Sequence, residues 1–274
     1  MDDHAANFRP GPLTSALIGL SRNTILGRGG MRKLMAKSVR GLNPDQPLDV
    51  SLYGGRARLH HTGNNSEIKA LLNPKRYARE EYDFCRTHMP RENGVFLDIG
   101  GNAGVFSLFI ASLMQSGTII CAEPQPAMFD RLKTNFALNP NLAERLNLFL
   151  EPTAVGGETS GTLTISTPAA AGQASARVRA GDPTIDVPVT PMLDLLKTKG
   201  AETLDLLKVD VEGFEDGVLF PFFDTAPESL YPKAIVMEAC HADRWERDCE
   251  ALLLGKGYKI VHKDRTNMML VLDD

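Results

Sequence analysis

The sequence predicts an α/β protein whose mostly parallel sheet has helices on both faces. From residue 95 onward, short apolar runs that suit buried strands alternate with segments of helical periodicity. The last two runs are too close together for a helix between them, so we expect a hairpin that makes one strand antiparallel. The predicted strands are 95–100, 118–123, 146–150, 204–210, 234–238, 258–262 and 268–272, and the predicted helices are 104–116, 126–138, 192–199, 215–222 and 245–254.

An N-terminal extension, residues 1–73, precedes this alternation. Residues 49–61 form two strand-like runs around Gly54–Gly55, which is typical of a β-hairpin. His60 and His61 close the second run, and we expect them to be exposed at the strand end.

The second part of the chain, residues 74–274, is predicted to begin with a helix. Asn73 is expected to cap that helix and Pro74 to lie in its first turn. Residues 156–189 interrupt the α/β alternation with two strand-like runs separated by small residues. We expect this β-insertion to cover a substrate, since long segments on a compact α/β core are often functional.

The composition is that of an ordinary globular protein. The chain has 274 residues, of which 43% are hydrophobic and 23% charged, so general disorder, collagen and membrane-spanning bundles are excluded. The net charge of -4 argues against nonspecific binding of nucleic acid. The cysteines are few and widely spaced, no convincing signal peptide is present, and no run approaches the roughly 20 apolar residues of a membrane span. We therefore expect a cytoplasmic protein with reduced thiols.

Residues 22–40 carry six positive charges and no acid, interspersed with apolar side chains. This pattern fits a basic amphipathic helix that lies on an anionic membrane. It also fits a helix packed on its own domain with a solvated basic face, which is the favoured interpretation.

Acidic residues stand at the ends of several predicted strands. Asp98, Glu123 and Asp210 each end a strand, and Glu238 ends another with His241 three residues later. Because ligands of open parallel sheets bind beyond the carboxyl ends of the strands, we expect the functional site at this edge.

The first strand leads into Asp-Ile-Gly-Gly-Asn-Ala-Gly, residues 98–104, which we call the glycine turn. Gly100, Gly101 and Gly104 permit a tight turn and a close approach of backbone to ligand. Asn102 stands where the dinucleotide fingerprint has its second glycine, and an acid before the glycines would repel a pyrophosphate. The turn therefore favours an ammonium or sulfonium ligand and disfavours an NAD-dependent oxidoreductase.

Glu123 lies 25 residues after Asp98, at the end of the second strand. A carboxylate there can accept hydrogen bonds from both ribose hydroxyls. An acid that merely begins the following helix is the alternative, which the preceding glycine turn makes less favoured. Together the two features predict a nucleoside with a cationic tail and no phosphates, and S-adenosylmethionine fits that description.

With these motifs the sequence resembles the FkbM-type family of class I, S-adenosylmethionine-dependent methyltransferases over residues 74–272. The family usually has a small residue such as Ala where Gly101 stands. The resemblance rests on the glycine turn, Glu123-Pro124, Leu132-x-x-Asn135-x-x-x-Asn139, and Lys208-Val-Asp210-Val-Glu212-Gly213-x-Glu215, of which the last is the most specific.

The resemblance implies a Rossmann-like sheet of seven strands, with the last strand antiparallel, in a class I methyltransferase domain. It also implies O-methylation of a hydroxyl on a sugar, secondary metabolite or similar small molecule or glycan. Carried over by position, the roles are the methionine end for Asp98, Gly100 and Gly104, the ribose for Glu123, and the adenine for Thr153 or Ala154.

Five further residues are expected at the cofactor by this resemblance. Tyr77 and Glu80 resemble an aromatic–acid pair of the family, although a purely structural helix face accounts for them equally well. Gly101, Asn102 and Asp210 are expected to line the same site.

A methyl acceptor hydroxyl needs a base, because it does not ionise unaided at neutral pH. His241 is the first candidate, with an ordinary loop histidine as the equal alternative. Asp210 and Glu212 are the other candidates, as base or as anchors of the acceptor, while Glu212 and Glu215 could instead only charge the first turn of the next helix.

Two broader questions stay open at the level of sequence. Asp210, Glu212 and Glu238 could bind Mg²⁺ through their oxygens, but their spacing does not require it, and no metal is expected. The alternative to an O-methyltransferase is a catalytically weak module that keeps the fold and docks on a membrane or a partner through its basic N-terminus.

Overall fold

The computed structural model describes residues 7–44, 46–167, 174–178 and 180–273. The helices in these residues are α1 (Pro12–Asn23), α2 (Gly29–Leu42), α3 (Asn65–Leu72), α4 (Arg79–His88), α5 (Val105–Leu113), α6 (Pro126–Ala137), α7 (Met192–Thr198), α8 (Glu215–Thr225) and α9 (Cys249–Gly255). The strands are β1 (Leu48–Leu52), β2 (Gly55–Leu59), β3 (Gly94–Ile99), β4 (Gly117–Ala122), β5 (Leu146–Glu151), β6 (Ala154–Val155), β7 (Gly161–Ser166), β8 (Thr184–Thr190), β9 (Leu206–Val209), β10 (Ala234–Glu238), β11 (Tyr258–Lys263) and β12 (Asn267–Leu272).

Seven strands form the central sheet in the order β5-β4-β3-β9-β10-β12-β11. The pairs between β5 and β10 are parallel, whereas β12 is antiparallel to both of its neighbours. The predicted fold class is therefore confirmed, including the antiparallel last strand. The chain leaves β3 toward β4 and later returns on the other side through β9, so the topological switch point lies between β3 and β9.

A hydrophobic core lies on each face of this sheet. In β3 the side chain of Phe96 belongs to one core, and those of Leu97 and Ile99 belong to the other. Helices α1–α6 contribute to the first core and α7–α9 to the second. Because both faces are covered, the central strands are continuously apolar, which made them easy to recognise in the sequence.

The N-terminal extension shares the first core. The predicted hairpin is confirmed as the antiparallel pair β1–β2, and it is held to α6 by two asparagines of the sequence motif. Asn135 Oδ1 accepts a hydrogen bond from the backbone N–H of Arg58 at 2.7 Å, and Asn139 Oδ1 accepts one from that of Arg56 at 2.8 Å. Asn135 also donates to the carbonyl of Ala103, at 2.7 Å, and thereby joins the hairpin to the glycine turn.

Helix α2 packs on its own domain, as the favoured interpretation of residues 22–40 expected. Met35, Ala36 and Val39 are buried in the first core, whereas Lys33 and Lys37 are exposed. No helix of the described residues is both long enough and apolar enough to cross a membrane.

Two predicted helix starts were wrong. The helix expected from Pro74 begins only at Arg79, because Asn73 ends α3, an unpredicted helix that the side chain of Asn64 caps. The last helix begins at Cys249 rather than at residue 245, since Asp248 supplies its cap.

The histidines after β2 are also not exposed. His61 is only 1% exposed, and its carbonyl accepts a hydrogen bond from Arg40 of α2 at 2.7 Å. His60 is half-buried, and its N–H donates to Glu67 of α3 at 2.9 Å. Helices α2 and α3 therefore cover the end of β2, which the sequence pattern predicted to be exposed.

The β-insertion folds as a small sheet of its own, with the order β6-β8-β7. Strands β7 and β8 are antiparallel, and β6, which follows β5 in the chain, pairs with β8 in parallel. Residues 168–173, most of the predicted small-residue stretch, lie outside the described residues.

Candidate functional site

A cavity opens at the carboxyl ends of β3, β4 and β9, at the topological switch point. It encloses about 840 Å³ of empty space, and we call it the first cavity. Its walls come from the glycine turn, the end of β4, the β-insertion and the loop after β9. Its lining includes Gly100, Asn102, Glu123, Thr153, Ala154, Asp210, Glu212, Phe214 and Glu238.

The glycine turn brings two strand ends into contact. Gly100 has a φ of +81°, and a Cβ on it would lie 1.9 Å from the carbonyl oxygen of Asp210. The N–H groups of Gly100 and Gly101 both donate to the carbonyl of Ala122, at 3.0 Å each. Glycine is therefore required at position 100 to close the turn against both neighbouring strands.

Gly101 and Gly104 have packing roles and do not line the first cavity. A Cβ on Gly101 would lie 2.1 Å from Cys121 Sγ, and one on Gly104 would lie 2.5 Å from Leu132 Cδ1. The thiol of Cys121 thus fills the space that a side chain at position 101 would need.

Asp98 is fully buried behind the turn and also does not line the cavity. Its Oδ2 accepts a hydrogen bond from Ser107 at 2.6 Å, and Lys208 Nζ lies 3.5 Å from its Oδ1. Lys208 also donates to Asp210 Oδ2 at 3.1 Å. Burial opposes the charge of Lys208, but Asp210 and Asp98 outweigh that effect and raise its pKa. The structure thus gives Asp98 a supporting position, in which it orders Lys208 and the turn.

Glu123 faces the first cavity from the end of β4. Its Oε2 accepts a hydrogen bond from the N–H of Asn102 and its Oε1 accepts one from the N–H of Gln125, both at 2.8 Å. Burial raises the pKa of Glu123 to about 7 in spite of these two bonds. The carboxyl is thus fixed in orientation and only 6% exposed, as a group that recognises a bound molecule should be.

Asn64 is a site residue that sequence reasoning missed. Its Nδ2 donates to Asn102 Oδ1 at 2.6 Å, while its own Oδ1 caps α3. Asn102 has a φ of +51°, and this bond holds it there. The sequence signal was the helix cap at Asn64, which the apparent helix start at Asn73 concealed.

Three carboxylates meet at the other end of the cavity. Oxygens of Asp210, Glu212 and Glu238 lie within 4.8 Å of one another. Burial, followed by the charge of Asp210, raises the pKa of Glu212 to about 7 and that of Glu238 to about 9. Such a cluster offers oxygen ligands to a cation, but acidic groups also cluster without one, so the expected absence of a metal stays a prediction.

His241 lies outside the cavity and contacts it through Glu212. Its Nε2 lies 3.0 Å from Glu212 Oε2, and it lines neither this cavity nor the second one described below. Glu212 has a φ of +55°, in the loop between β9 and α8. The arrangement orients Glu212 rather than presenting the imidazole to a ligand.

Glu215 holds that loop from its inner side. Its Oε1 accepts hydrogen bonds from the N–H groups of Val211 at 3.1 Å and Gly213 at 3.3 Å. Its Oε2 accepts one from Trp245 Nε1 at 2.6 Å. The last acid of the motif therefore shapes the loop that carries Glu212, and it begins α8 as well.

The β-insertion covers the first cavity. Thr153 and Ala154 line it, as do Ile165 and Ala174 of the insertion. The hydroxyl of Thr153 is held by the carbonyl of Pro188 at 3.1 Å, so its position depends on the insertion sheet. Leu163, Ile165, Ala174 and Ala176 give the cavity an apolar wall.

Arg177 fastens the insertion to the main domain. Its Nη2 donates to Asp216 Oδ1 at 2.8 Å and Oδ2 at 3.0 Å, and its Nη1 donates to Glu246 at 2.5 Å. The guanidinium also lies 5.2 Å from the ring centroid of Phe214, which lines the cavity. No sequence pattern could have identified these contacts, because the partners lie far from Arg177 along the chain, 69 residues away in the case of Glu246.

A second cavity of about 1000 Å³ adjoins the first. Ser66, Asp210 and Glu238 line both, so the two spaces meet at these side chains. Tyr77 lines the second cavity, and burial raises its pKa to about 12. Glu80, its predicted acidic companion, is exposed and lines neither cavity.

The acid of α4 that lines the second cavity is Glu81, the neighbour of Glu80. Its Oε1 accepts a hydrogen bond from Asn267 of β12. The pairing of Tyr77 with Glu80 came from the family resemblance, and a role of Glu80 at the cofactor stays a prediction.

Comparison with known proteins gives a consistent result. A family model described as "Methyltransferase FkbM domain" matches residues 98–260. The methyltransferase sdnD of Sordaria araneosa is 30% identical over 200 residues, which cover 63% of this chain and 76% of that protein.

Solved structures with a similar arrangement are much more distant in sequence. A methyltransferase from Geobacter sulfurreducens is 15% identical with a TM-score of 0.40, over 72% of this chain and 78% of that one. Methyltransferase FkbM from Methylobacillus flagellatus KT is 15% identical with a TM-score of 0.41, over 75% of this chain and 54% of that one.

Proposed function

The chain belongs to the FkbM methyltransferase family, and from this premise we propose that it transfers a methyl group from S-adenosylmethionine to a hydroxyl of a small molecule or glycan. The observation that carries the proposal is the carboxyl of Glu123, which is fixed by two backbone N–H groups beside the close approach at Gly100. The carboxyl of Glu123 can accept hydrogen bonds from the two hydroxyls of a ribose, and the backbone at Gly100 lets the ligand approach closely. The acidic residue of the glycine turn disfavours phosphate groups, because like charges would repel.

The lining of the first cavity fits the other parts of this cofactor. Thr153 and Ala154 border the space on the far side of Glu123, where an adenine would lie against the apolar wall of the insertion. Asp210 and Glu212 lie at the opposite end beside Glu238, and their carboxylates complement a positive charge. S-adenosylmethionine supplies an electrophilic methyl group on a sulfonium centre.

We assign the base to Glu212. Its carboxyl lines the first cavity, and its pKa of about 7 is matched to proton transfer near neutral pH. With S-adenosylmethionine bound as the methyl donor, Glu212 would take the proton of the acceptor hydroxyl. His241, 3.0 Å from Glu212 and partly exposed, gives that proton a route to solvent. Asp210 anchors the acceptor, because it borders both cavities.

The cofactor assignment is tested by titration with S-adenosylhomocysteine, the product left after methyl transfer. We expect saturable binding that Glu123→Ala weakens at least tenfold, which corresponds to about 1.4 kcal/mol. Glu144→Ala, at an exposed acid away from both cavities, is the matched control and should bind like the wild type. Equal affinity of the Glu123 variant, or saturable binding of NADH instead, would contradict the assignment.

A second candidate function is docking on an anionic membrane through the N-terminal helices. Six of the nine large apolar side chains that are exposed in the described residues lie between positions 13 and 42. Ile25 is 69% exposed and Leu34 is 51% exposed, in a segment rich in Lys and Arg. Apolar side chains beside basic ones are typical of a helix that binds an anionic bilayer surface.

Flotation with vesicles tests whether the N-terminal helices bind a membrane or only expose their basic face to solvent. We expect binding to phosphatidylcholine vesicles that contain 30% phosphatidylserine, and loss of binding in the double variant Ile25→Glu, Leu34→Glu. Val261→Glu, at a 52% exposed side chain of β11, is the control. Absence of vesicle binding, or an equal effect of the control, would rule out the docking function.

A further inference from the structure

The second cavity is the space in which an acceptor would lie, if the proposed function holds. It meets the first cavity at Asp210 and Glu238, the carboxylates at the expected methyl end. It is lined by different elements from the first: the β-insertion is absent from its walls, and helices α2 and α3 and the turn before α4 replace it. Apart from Ser66, Asp210 and Glu238, which line both cavities, a ligand in it would therefore be recognised by side chains that do not line the first cavity.

Four basic side chains line this second cavity, namely Arg32 of α2, Lys69 of α3, Arg76 of the turn before α4, and Lys208 of β9. Lys208 is bound to Asp98 and Asp210. The side chains of the other three form no ion pair or hydrogen bond with any group of the described residues. They come from three separate elements, and they converge on one cavity in a chain whose net charge is -4.

The acids of the same lining do not neutralise these three cations. Asp210 is engaged by Lys208 at 3.1 Å. Glu81 is bound to Asn267, and burial raises its pKa, while Glu238 has a pKa of about 9 and is thus protonated at neutral pH. The side of the cavity formed by α2, α3 and the turn is therefore positively charged.

We propose that the methyl acceptor carries a carboxylate or phosphate group, which Arg32, Lys69 and Arg76 bind while its hydroxyl lies at Asp210. Guanidinium groups suit this task, because their paired N–H donors match the oxygens of carboxylates and phosphates. Arg32 is half-buried and Lys69 and Arg76 are exposed, so all three are accessible to a ligand, and a neutral sugar would make no use of their charge.

Calorimetric titration of the protein loaded with S-adenosylhomocysteine tests this inference. Inorganic phosphate and malonate are the two probes, and tighter binding of one of them distinguishes a phosphate site from a carboxylate site. We expect saturable binding of at least one probe, weakened at least fivefold by Arg76→Gln and by Arg32→Gln. Lys75→Gln is the matched control, since Lys75 is exposed and adjacent to Arg76 but does not line the second cavity.

The outcomes separate this inference from the proposed function. Saturable binding of S-adenosylhomocysteine without binding of either anion overturns the anionic acceptor and leaves the cofactor assignment intact. Equal loss of affinity in the Lys75 control shows a general surface effect and also overturns it. Titration of both anions into the unloaded protein tests the basic site independently, even if S-adenosylhomocysteine does not bind.

Discussion

At the scale of single residues, the contact between Gly101 and Cys121 leaves no room for a side chain at position 101. A Cβ at position 101 would lie 2.1 Å from Cys121 Sγ, and Cys121 is fully buried. A small side chain at position 101 and the thiol at position 121 therefore occupy the same space. Either one fills it, and both together overpack it.

This contact predicts a strong coupling between two substitutions. Gly101→Ala alone should lower the free energy of unfolding by about 1–3 kcal/mol through overpacking. Addition of Cys121→Ala should restore most of the loss, which urea denaturation of the two single variants and the double variant would measure. Gly161→Ala is the control, since nothing lies within 4 Å of its added Cβ. Additive effects of the two substitutions would show that the thiol moves away freely.

The titration of Glu212 predicts the pH dependence of methyl transfer. A base acts in its ionised form, and the folded pKa of Glu212 is about 7, so kcat/KM should rise as pH increases through 7 and level off above about 8. An unperturbed glutamate would already have reached its plateau at about pH 6. Initial rates from about pH 5.5 to 9 are the measurement.

The variant Glu212→Gln identifies the group behind this rise. It should lower kcat by about 10²–10⁴-fold and abolish the rising limb. Its affinity for S-adenosylhomocysteine, measured beside the rates, should change much less than that of Glu123→Ala. A rising limb that persists in Glu212→Gln would assign the base to another residue.

Several site residues could be predicted from the sequence because each follows directly from a strand end. Glu123, Asp210 and Glu212 stand at such ends and line the first cavity. Arg177 and Asn64 were missed because their roles come from partners far along the chain, at Asp216 and Asn102. A local sequence pattern identifies residues at strand ends. It carries no information on residues whose partners are distant in the chain.

At the scale of elements, Arg177 connects the β-insertion to α8. Replacement by Gln removes both of its ion pairs and leaves the carboxylate of Asp216, which is 2% exposed, with fewer charged partners. Because charge-assisted bonds contribute about 1.5–3 kcal/mol each, we expect at least a fivefold weaker affinity for S-adenosylhomocysteine. Hydrogen exchange in β7 and β8 should increase as well.

The control for Arg177→Gln lies within the same insertion. Asp186→Asn removes an acid that is exposed and bonded to Thr164 on the outer surface. Its affinity and exchange rates should match the wild type. If Arg177→Gln also matched the wild type, the insertion would be held in place by its apolar contacts alone.

The strands of the central sheet were predictable, whereas helix α3 of the extension was not. Central strands are buried on both faces, and a short, continuous apolar run bounded by turn residues is typical of such a strand. Helix α3 is short, and the pair Asn73-Pro74 after it resembles a helix start. Tertiary packing settles the matter, because the side chain of Asn73 donates to the carbonyl of Gly27 at 2.9 Å instead of capping a following helix.

At the scale of the whole molecule, the first core runs through the extension and the sheet without interruption. Leu59 of β2 and Leu71 of α3 belong to it together with Phe96 of β3. The division at residue 73 therefore separates sequence motifs, while the hydrophobic core spans both parts. We expect the two parts to unfold together.

Leu59→Ala tests this cooperativity. Leu59 is fully buried, so its truncation should lower the free energy of unfolding by about 2–5 kcal/mol. The slowest-exchanging amides of β9, in the centre of the sheet, should lose protection by the same free energy in native-state hydrogen exchange. Leu13→Ala, at a 61% exposed side chain, should leave both values within about 0.5 kcal/mol. Unchanged protection of β9 in Leu59→Ala would show that the extension unfolds independently.

The bond from Trp245 to Glu215 has a spectroscopic consequence. Trp245 is the only indole in the chain, and its N–H reaches the carboxylate that holds the loop carrying Glu212. Emission of the protein excited at the red edge of its absorbance thus comes from one fluorophore, beside the loop that lines the first cavity. Ligand binding in the first cavity can then be followed in real time, without a dye, by stopped-flow fluorescence.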